Sequence, residues 1–270
     1  MEPISSANRR RSAAQQLADV HHAIVSCERC PRLRSYCGRI AVDKKRAYRD
    51  ATYWGRPVPG FGDPRARLLL LGLAPAAHGA NRTGRVFTGD GAGGSGDFLM
   101  TALHRTGFSN LTTSTHADDG LRLTDAYIAA AVRCAPPDNK PLPEEIARCL
   151  DHLDAETSAL PNVQVVVALG RIAFDAWLQL IRRGGGSASA ENRLRRHPPH
   201  GDRLQRHPSH GDRLRRHPPH RKFGHGVVVT FADRPTLIGC YHPSRQNTNT
   251  GRLTPTMMVD VFRRARKLLR

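Results

Sequence analysis

Six cysteines stand at positions 27, 30, 37, 134, 149 and 240, and four of them have the spacing of ligands. Cys27 and Cys30 form a Cys-x-x-Cys pair followed by Pro31, which lets two thiolates reach one centre. Cys134 and Cys149, with fourteen residues between them, flank a strand-to-helix turn. A disulfide framework is disfavoured in an intracellular chain of this size. A zinc ribbon would supply a second Cys-x-x-Cys, and the sequence has none. One close pair and two separated cysteines suit an iron–sulfur cube, whose iron corners are reached from different elements. Cys37 and Cys240 read as buried thiols without a ligand role.

Three further blocks combine groups that could act on a polar substrate: GLAPAAHGANRTGRVFTGD (Gly72 to Asp90), RCAPPDNKPLPEEIARC (Arg133 to Cys149) and YHPSRQNTNTGRLT (Tyr241 to Thr254). The run Gly89 to Gly94 satisfies G-x-G-x-x-G. However, the preceding strand ends near Leu73 and no acidic residue follows at about twenty positions, so a dinucleotide site is not supported. The run is a loop whose backbone N–H groups could meet phosphate.

The elements that must position these blocks alternate between strand and helix. Arg67 to Leu73, a continuous aliphatic run ending in Gly and Pro, reads as a buried strand, with Tyr127 to Val132 and Val163 to Leu169 as a second and third. Val227 to Phe231 and Thr236 to Tyr241 flank an Asp233-Arg234 turn. Helices are predicted at 13–25, where Ala13, Leu17, Val20 and Ile24 share a face, and near 96–106, ending at Gly107. Another runs from Pro143 to about Leu160, opened by Pro and two Glu. The last two hold Ala173, Trp177, Leu180 and Ile181, and Met258, Val261, Phe262, Ala265 and Leu269 behind Thr254-Pro255. This alternation gives an α/β fold, a three-layer α/β/α sandwich with a mainly parallel central sheet. Sites in such sheets lie at the carboxyl ends of the strands, where the three blocks begin.

With the blocks in this order and the cysteines so spaced, the sequence resembles the uracil-DNA glycosylase superfamily, and within it the type B, or family 5, enzymes with an iron–sulfur cluster. The resemblance covers roughly residues 20–182 and 223–268. It implies a structural [4Fe-4S] cluster on Cys27, Cys30, Cys134 and Cys149. It also implies DNA repair by hydrolysis of the N-glycosidic bond of uracil flipped from double-stranded DNA, leaving an abasic site. Other deaminated bases such as hypoxanthine are expected substrates. By the same resemblance Phe87 stacks on the base beside Ala74, Asn139 reads the pyrimidine edge, and His242 stabilises the departing base. Ser244, Arg245, Gln246 and Asn247 enter the minor groove. Most of the superfamily places an acid or amide just after the first-block glycine. Here Gly72 is followed by Leu73, Ala74, Pro75 and Ala76, so Asp90 is the carboxylate offered to hold water, with His78 and Asn81 as alternatives. Two rival functions are a bifunctional glycosylase/lyase using Lys140 for a Schiff base and a non-catalytic iron–sulfur module that binds nucleic acid.

Composition agrees with a nucleic-acid partner. The 270 residues carry 42 Lys+Arg against 23 Asp+Glu, a formal charge of +19, and 39% are hydrophobic, enough for a sizeable core. Residues 193–222 are three copies of a decapeptide, RLRRHPPHGD, RLQRHPSHGD and RLRRHPPHRK, with ten Arg or Lys and two Asp, a net +8. Such a unit has little to bury, so a disordered basic insertion is expected at about 184–222. The rest is expected as a polar tail, 1–19, and one glycosylase domain, 20–270, acting as a monomer in the cytoplasm or nucleoid. Met1 to Leu17 lacks the apolar stretch of a signal peptide, and the longest apolar run, Leu68 to Ala77, is too short to span a bilayer.

Overall fold

The computed structural model describes residues 12–184 and 222–269; all of the decapeptide repeat but Lys222 lies outside them, as do residues 1–11. A six-stranded sheet forms the middle layer. Its strands are β1 (Phe61–Gly62), β2 (Leu68–Gly72), β3 (Ala126–Ala130), β4 (Val165–Leu169), β5 (Val228–Val229) and β6 (Thr236–Cys240), in the order β1-β3-β2-β4-β6-β5. The four central strands are parallel, with Leu68 opposite both Ala126 and Val165, and Val165 opposite Thr236. The short edge strands β1 and β5 are antiparallel.

Alternation along the strands divides the core. Leu68, Leu70, Ile128, Val165, Val167 and Ile238 pack with α4 (Ser95–Arg105) and α8 (Pro255–Leu268). Leu69, Leu71, Tyr127, Val166, Ala168 and Leu237 pack on the opposite face, with α1 (Ala13–Val25), α5 (Pro143–Ser158) and α6 (Arg171–Gly184). Both faces are covered, so the central strands are apolar but for Thr236 at the start of β6 and the Tyr127 hydroxyl, and full burial of each Leu or Val contributes about 1.5–3 kcal/mol. The fold is the three-layer α/β/α sandwich expected from the sequence.

The helices reflect local chemistry. Ser12 caps α1 through Gln15 N–H at 3.2 Å, and Thr254 caps α8 through Met257 N–H. The buried Leu17 belongs to α1, so this helix crosses residue 19, where the sequence puts the end of the tail. Three helices go beyond the sequence reading: α2 (Pro31–Asp43), the single-turn α3 (Ala80–Thr83) and α7 (Arg245–Asn249). The stretch after His242 is therefore not all loop. Ser244 accepts from Asn247 N–H and starts a turn of helix.

Connectivity sets the place of the site. From β2 the chain moves to β3 on one side, then to β4 and β6 on the other. The parallel strands end along one edge, and the order reverses at β2, where a crevice opens. The three blocks leave from β2, β3 and β6, so they converge there.

Candidate active site

A cavity of about 430 Å³ opens at that edge. Its wall includes Ala74 from the first block, Phe87 and Asp90 further along it, Asn139 from the second, and His242, Ser244, Arg245 and Gln246 from the third. Asn247 is not on the wall. Its side-chain N–H donates to His242 O at 2.8 Å and so holds the backbone that carries the imidazole. His78 and Asn81 also lie off the wall. The His78 ring meets Tyr53 Oη at 3.0 Å, and the buried Asn81 donates to Ala77 O at 3.3 Å. Lys140 is not on the wall either. The wall does include Asp138, which sequence reasoning passed over beside Asn139.

Phe87 is placed by backbone strain and by glycine. Its φ is 53°, a left-handed value that is unfavourable for a bulky residue. Its ring lies on Gly72, where a Cβ would stand 2.8 Å from Phe87 Cε2. The rings of Phe87 and His242 are 5.8 Å apart and tilted by 30°. Asp138 and Asn139 also have left-handed backbones, with φ of 53° and 57°.

Electrostatics separate the two titratable groups. Burial pushes the His242 imidazole down to about 4, so the ring is neutral near pH 7 although part of its surface remains open to the cavity. Burial raises the Asp90 carboxyl above the usual range, and Asp97 adds to the shift. The Gly96 N–H bond and the charges of Arg245 and Arg82 oppose it. Asp90 thus sits at the N-terminus of α4, where backbone N–H groups favour an anion. Asp90 offers the cavity a carboxyl acceptor and His242 a neutral imidazole, with the Phe87 ring lying against the imidazole.

Comparison with known proteins follows the same lines. Residues 59–266 match the Uracil DNA glycosylase superfamily. The chain is 46% identical over 256 residues to the Type-5 uracil-DNA glycosylase of Mycobacterium bovis, covering 94% of this chain and 82% of that protein. It is 44% identical over 245 residues to the Type-5 uracil-DNA glycosylase of Thermus thermophilus, covering 91% and 94%. The Type-4 uracil-DNA glycosylase of Pyrobaculum aerophilum is 30% identical over 168 residues, 62% of this chain. The chain belongs to the type-5 family of the uracil-DNA glycosylase superfamily.

In this type-5 chain four of the six cysteines gather in one cluster beside the cavity, and Cys240 lies apart in β6. Cys30 precedes α2, Cys134 follows β3 and Cys149 lies on α5. All three are buried in one cluster with Cys37 and Leu33, and Ala74 packs against it. Cys27, between α1 and α2, is within electrostatic reach of Cys149. Burial pushes the Cys149 thiol up to about 11, against an N–H bond from Arg133. Among the described residues no three His, Cys, Asp or Glu side chains converge to hold a single metal ion. The donors gathered here are thiols, the ligand type that holds an iron–sulfur cluster. Arg29 Nε lies 3.4 Å from Cys27 Sγ, and its Nη1 is 2.9 Å from Asp151 Oδ2. Arg32 forms a fork with Glu145, both contacts 2.8 Å. These pairs fasten α2 and the Cys27–Cys30 turn to α5.

A second network was invisible in the sequence. Arg133, next to Cys134, is 1% exposed and its Nη2 is 2.7 Å from Oε2 of the fully buried Glu156. The approach is too oblique for a hydrogen bond, so the two are joined as charges. Glu156 Oε1 accepts from Tyr127 Oη and from Gly60 N–H, each at 2.9 Å, and Tyr127 Oη meets His21 Nε2 at 2.7 Å. The network ties α1, β3 and α5 together behind the cysteines.

Proposed function

We propose that this protein is a monofunctional DNA glycosylase that hydrolyses the N-glycosidic bond of uracil in double-stranded DNA and accepts other deaminated bases such as hypoxanthine. The observation that carries this reading is the meeting of Phe87, Asp90, Asn139 and His242, from three separate blocks, on one cavity in a chain of the type-5 family. A base within the duplex stack cannot present its glycosidic bond to water, so it must be flipped into such a cavity.

Phe87 stacks on the flipped base and Asn139 bonds to its polar edge. As the bond from sugar carbon to base nitrogen breaks, its electron pair goes to the base. The neutral His242 donates a hydrogen bond to the base oxygen where that charge collects. Asp90 holds the water that attacks the sugar carbon and takes its proton; a raised carboxyl pKa favours that transfer. Arg245 and Gln246, exposed at the rim, fill the place the base has left. Lys140 is off the wall, which supports hydrolysis over a Schiff base. A [4Fe-4S] cluster held by Cys27, Cys30, Cys134 and Cys149 would cross-link α2, the end of β3 and α5, a structural role without redox turnover.

Single-turnover excision from a uracil-containing duplex tests these roles. Asp90→Asn and His242→Ala should each slow excision by about 10²–10³ while leaving DNA affinity near that of the unaltered protein. A wild-type rate in Asp90→Asn would remove Asp90 from the mechanism.

A further inference from the structure

Arg85 is buried beside the cavity but does not line it, and neither water attack nor base departure uses it. It is 7% exposed and carries four polar contacts. Nε donates to Thr88 Oγ1 at 2.9 Å and Nη1 to Ala117 O at 2.8 Å. Nη2 donates to Ser114 Oγ at 3.1 Å and to Asp119 Oδ2 at 2.7 Å. Its Cζ also lies 5.2 Å from the centroid of the Phe61 ring. One planar fork therefore joins the turn around Phe87 to the distant segment 114–119.

The residues on either side of Phe87 are held by the same set of bonds. Thr88, fully buried, shares a 2.7 Å hydrogen bond with Ser114, and Gly89 N–H donates to Ser114 O at 2.9 Å. Asp119, which anchors the fork, also accepts from Thr115 N–H at 2.8 Å and Leu121 N–H at 3.0 Å. Thus the strained left-handed backbone of Phe87 lies between Arg85 and Thr88, which are both fixed to one external segment. Strain of this kind persists only where the surroundings over-determine it.

We infer that Arg85 is a positioning residue for base excision: with Asp119 it clamps the Phe87 turn in its left-handed form and keeps the ring pressed over Gly72, ready to receive the flipped base. This rests on the reading of Phe87 as the stacking group. A guanidinium suits this place best: a lysine keeps the charge facing Asp119 but lacks the planar fork that reaches Thr88, Ser114 and Asp119 together.

A double-mutant cycle on purified full-length protein tests the clamp, read by single-turnover uracil excision and by inhibition with free uracil. Arg85→Met should slow excision by about 10²-fold, the effect of a displacement near 1 Å. It should weaken inhibition by free uracil about as much as Phe87→Ala does, and Arg85→Lys should recover part of both losses. In a Phe87→Ala background, Arg85→Met should have almost no further effect, because contacting residues that act as a unit do not add. Asp119→Asn, which keeps the shape and removes the charge, gives the same cycle if Arg85→Met fails to fold. An equal loss from either substitution with and without Phe87 would overturn the clamp, as would a wild-type rate in both. A wild-type rate in Phe87→Ala would instead defeat the stacking reading beneath it.

Discussion

Gly72→Ala is the most demanding test of how the fold sets the site. Gly72 ends β2, and its φ is not in the left-handed range, so alanine suits the backbone. The obstacle is the ring. An alanine Cβ would stand 2.8 Å from Phe87 Cε2 and 3.1 Å from Cζ. Carbon atoms rest at about 3.5–4.0 Å, so the ring must retreat by roughly 1 Å. Overpacking of this kind costs about 1–3 kcal/mol, and a 1 Å misplacement of a reacting group costs about 10²-fold in rate. The expected outcome is a folded protein whose single-turnover excision is about a hundredfold slower, with DNA affinity retained. Gly38→Ala serves as the control, since it lies in α2 with nothing within 4 Å of the added methyl. It should gain about 0.5–1 kcal/mol and leave the rate alone. If Gly72→Ala excises uracil at the unaltered rate, the Phe87 ring is not held against Gly72 during catalysis.

Other expectations concern charge and cofactor. Glu156→Gln should leave Arg133 as an uncompensated buried charge, costing about 3–5 kcal/mol and lowering the thermal midpoint by on the order of 10 °C; the Arg133→Met, Glu156→Gln double variant should recover most of that loss in a melting curve. His242 has its folded pKa depressed to about 4, so its contribution to stability is present above pH 6.5 and lost as pH falls through about 4. His242→Gln should therefore flatten the midpoint-against-pH curve over that window. Asp90 has the opposite sign: its folded pKa is raised, so its stability contribution is present at low pH and lost as pH rises. Asp90→Asn should accordingly melt higher near pH 7 while excising more slowly. Serine at Cys134 should abolish the visible absorption of purified protein and its bound iron and sulfide, whereas serine at Cys240 should not. Full iron content in Cys134→Ser would remove that residue from the ligand set.

What could be read from the sequence depended on the range of the interaction. Leu68 to Leu71 and Val165 to Val167 announce buried strands because both faces of a parallel sheet are covered. Pro143 with Glu144 and Glu145 marks the start of α5 by local chemistry alone. By contrast α2 carries Arg32, Arg34 and Arg39 among its apolar positions, and its burial against the cysteine region depends on partners more than a hundred residues away, such as Glu145. The cavity residues were legible as three blocks, since each begins at the end of a parallel strand. Pairings of buried charge were not. Arg85 with Asp119, and Arg133 with Glu156, have no sequence spacing that reports them, because the sheet and its loops bring them together. Asn247 shows the same limit. Its type suits a DNA contact, and nothing in its spacing reports that its side-chain N–H also holds the backbone of His242.

In the proposed reaction the cavity holding Phe87, Asp90, Asn139 and His242 releases uracil from DNA by hydrolysis. The direct measurement is a single-turnover reaction of purified, cluster-loaded protein with a duplex containing one uracil, followed by mass spectrometry of both products. Free uracil and an equal amount of intact abasic strand are expected, with no borohydride-trapped adduct and a loss of about 10²–10³ in rate for Asp90→Asn. No release of uracil from a duplex that the loaded protein binds, or a trapped protein–DNA adduct at Lys140, would contradict it.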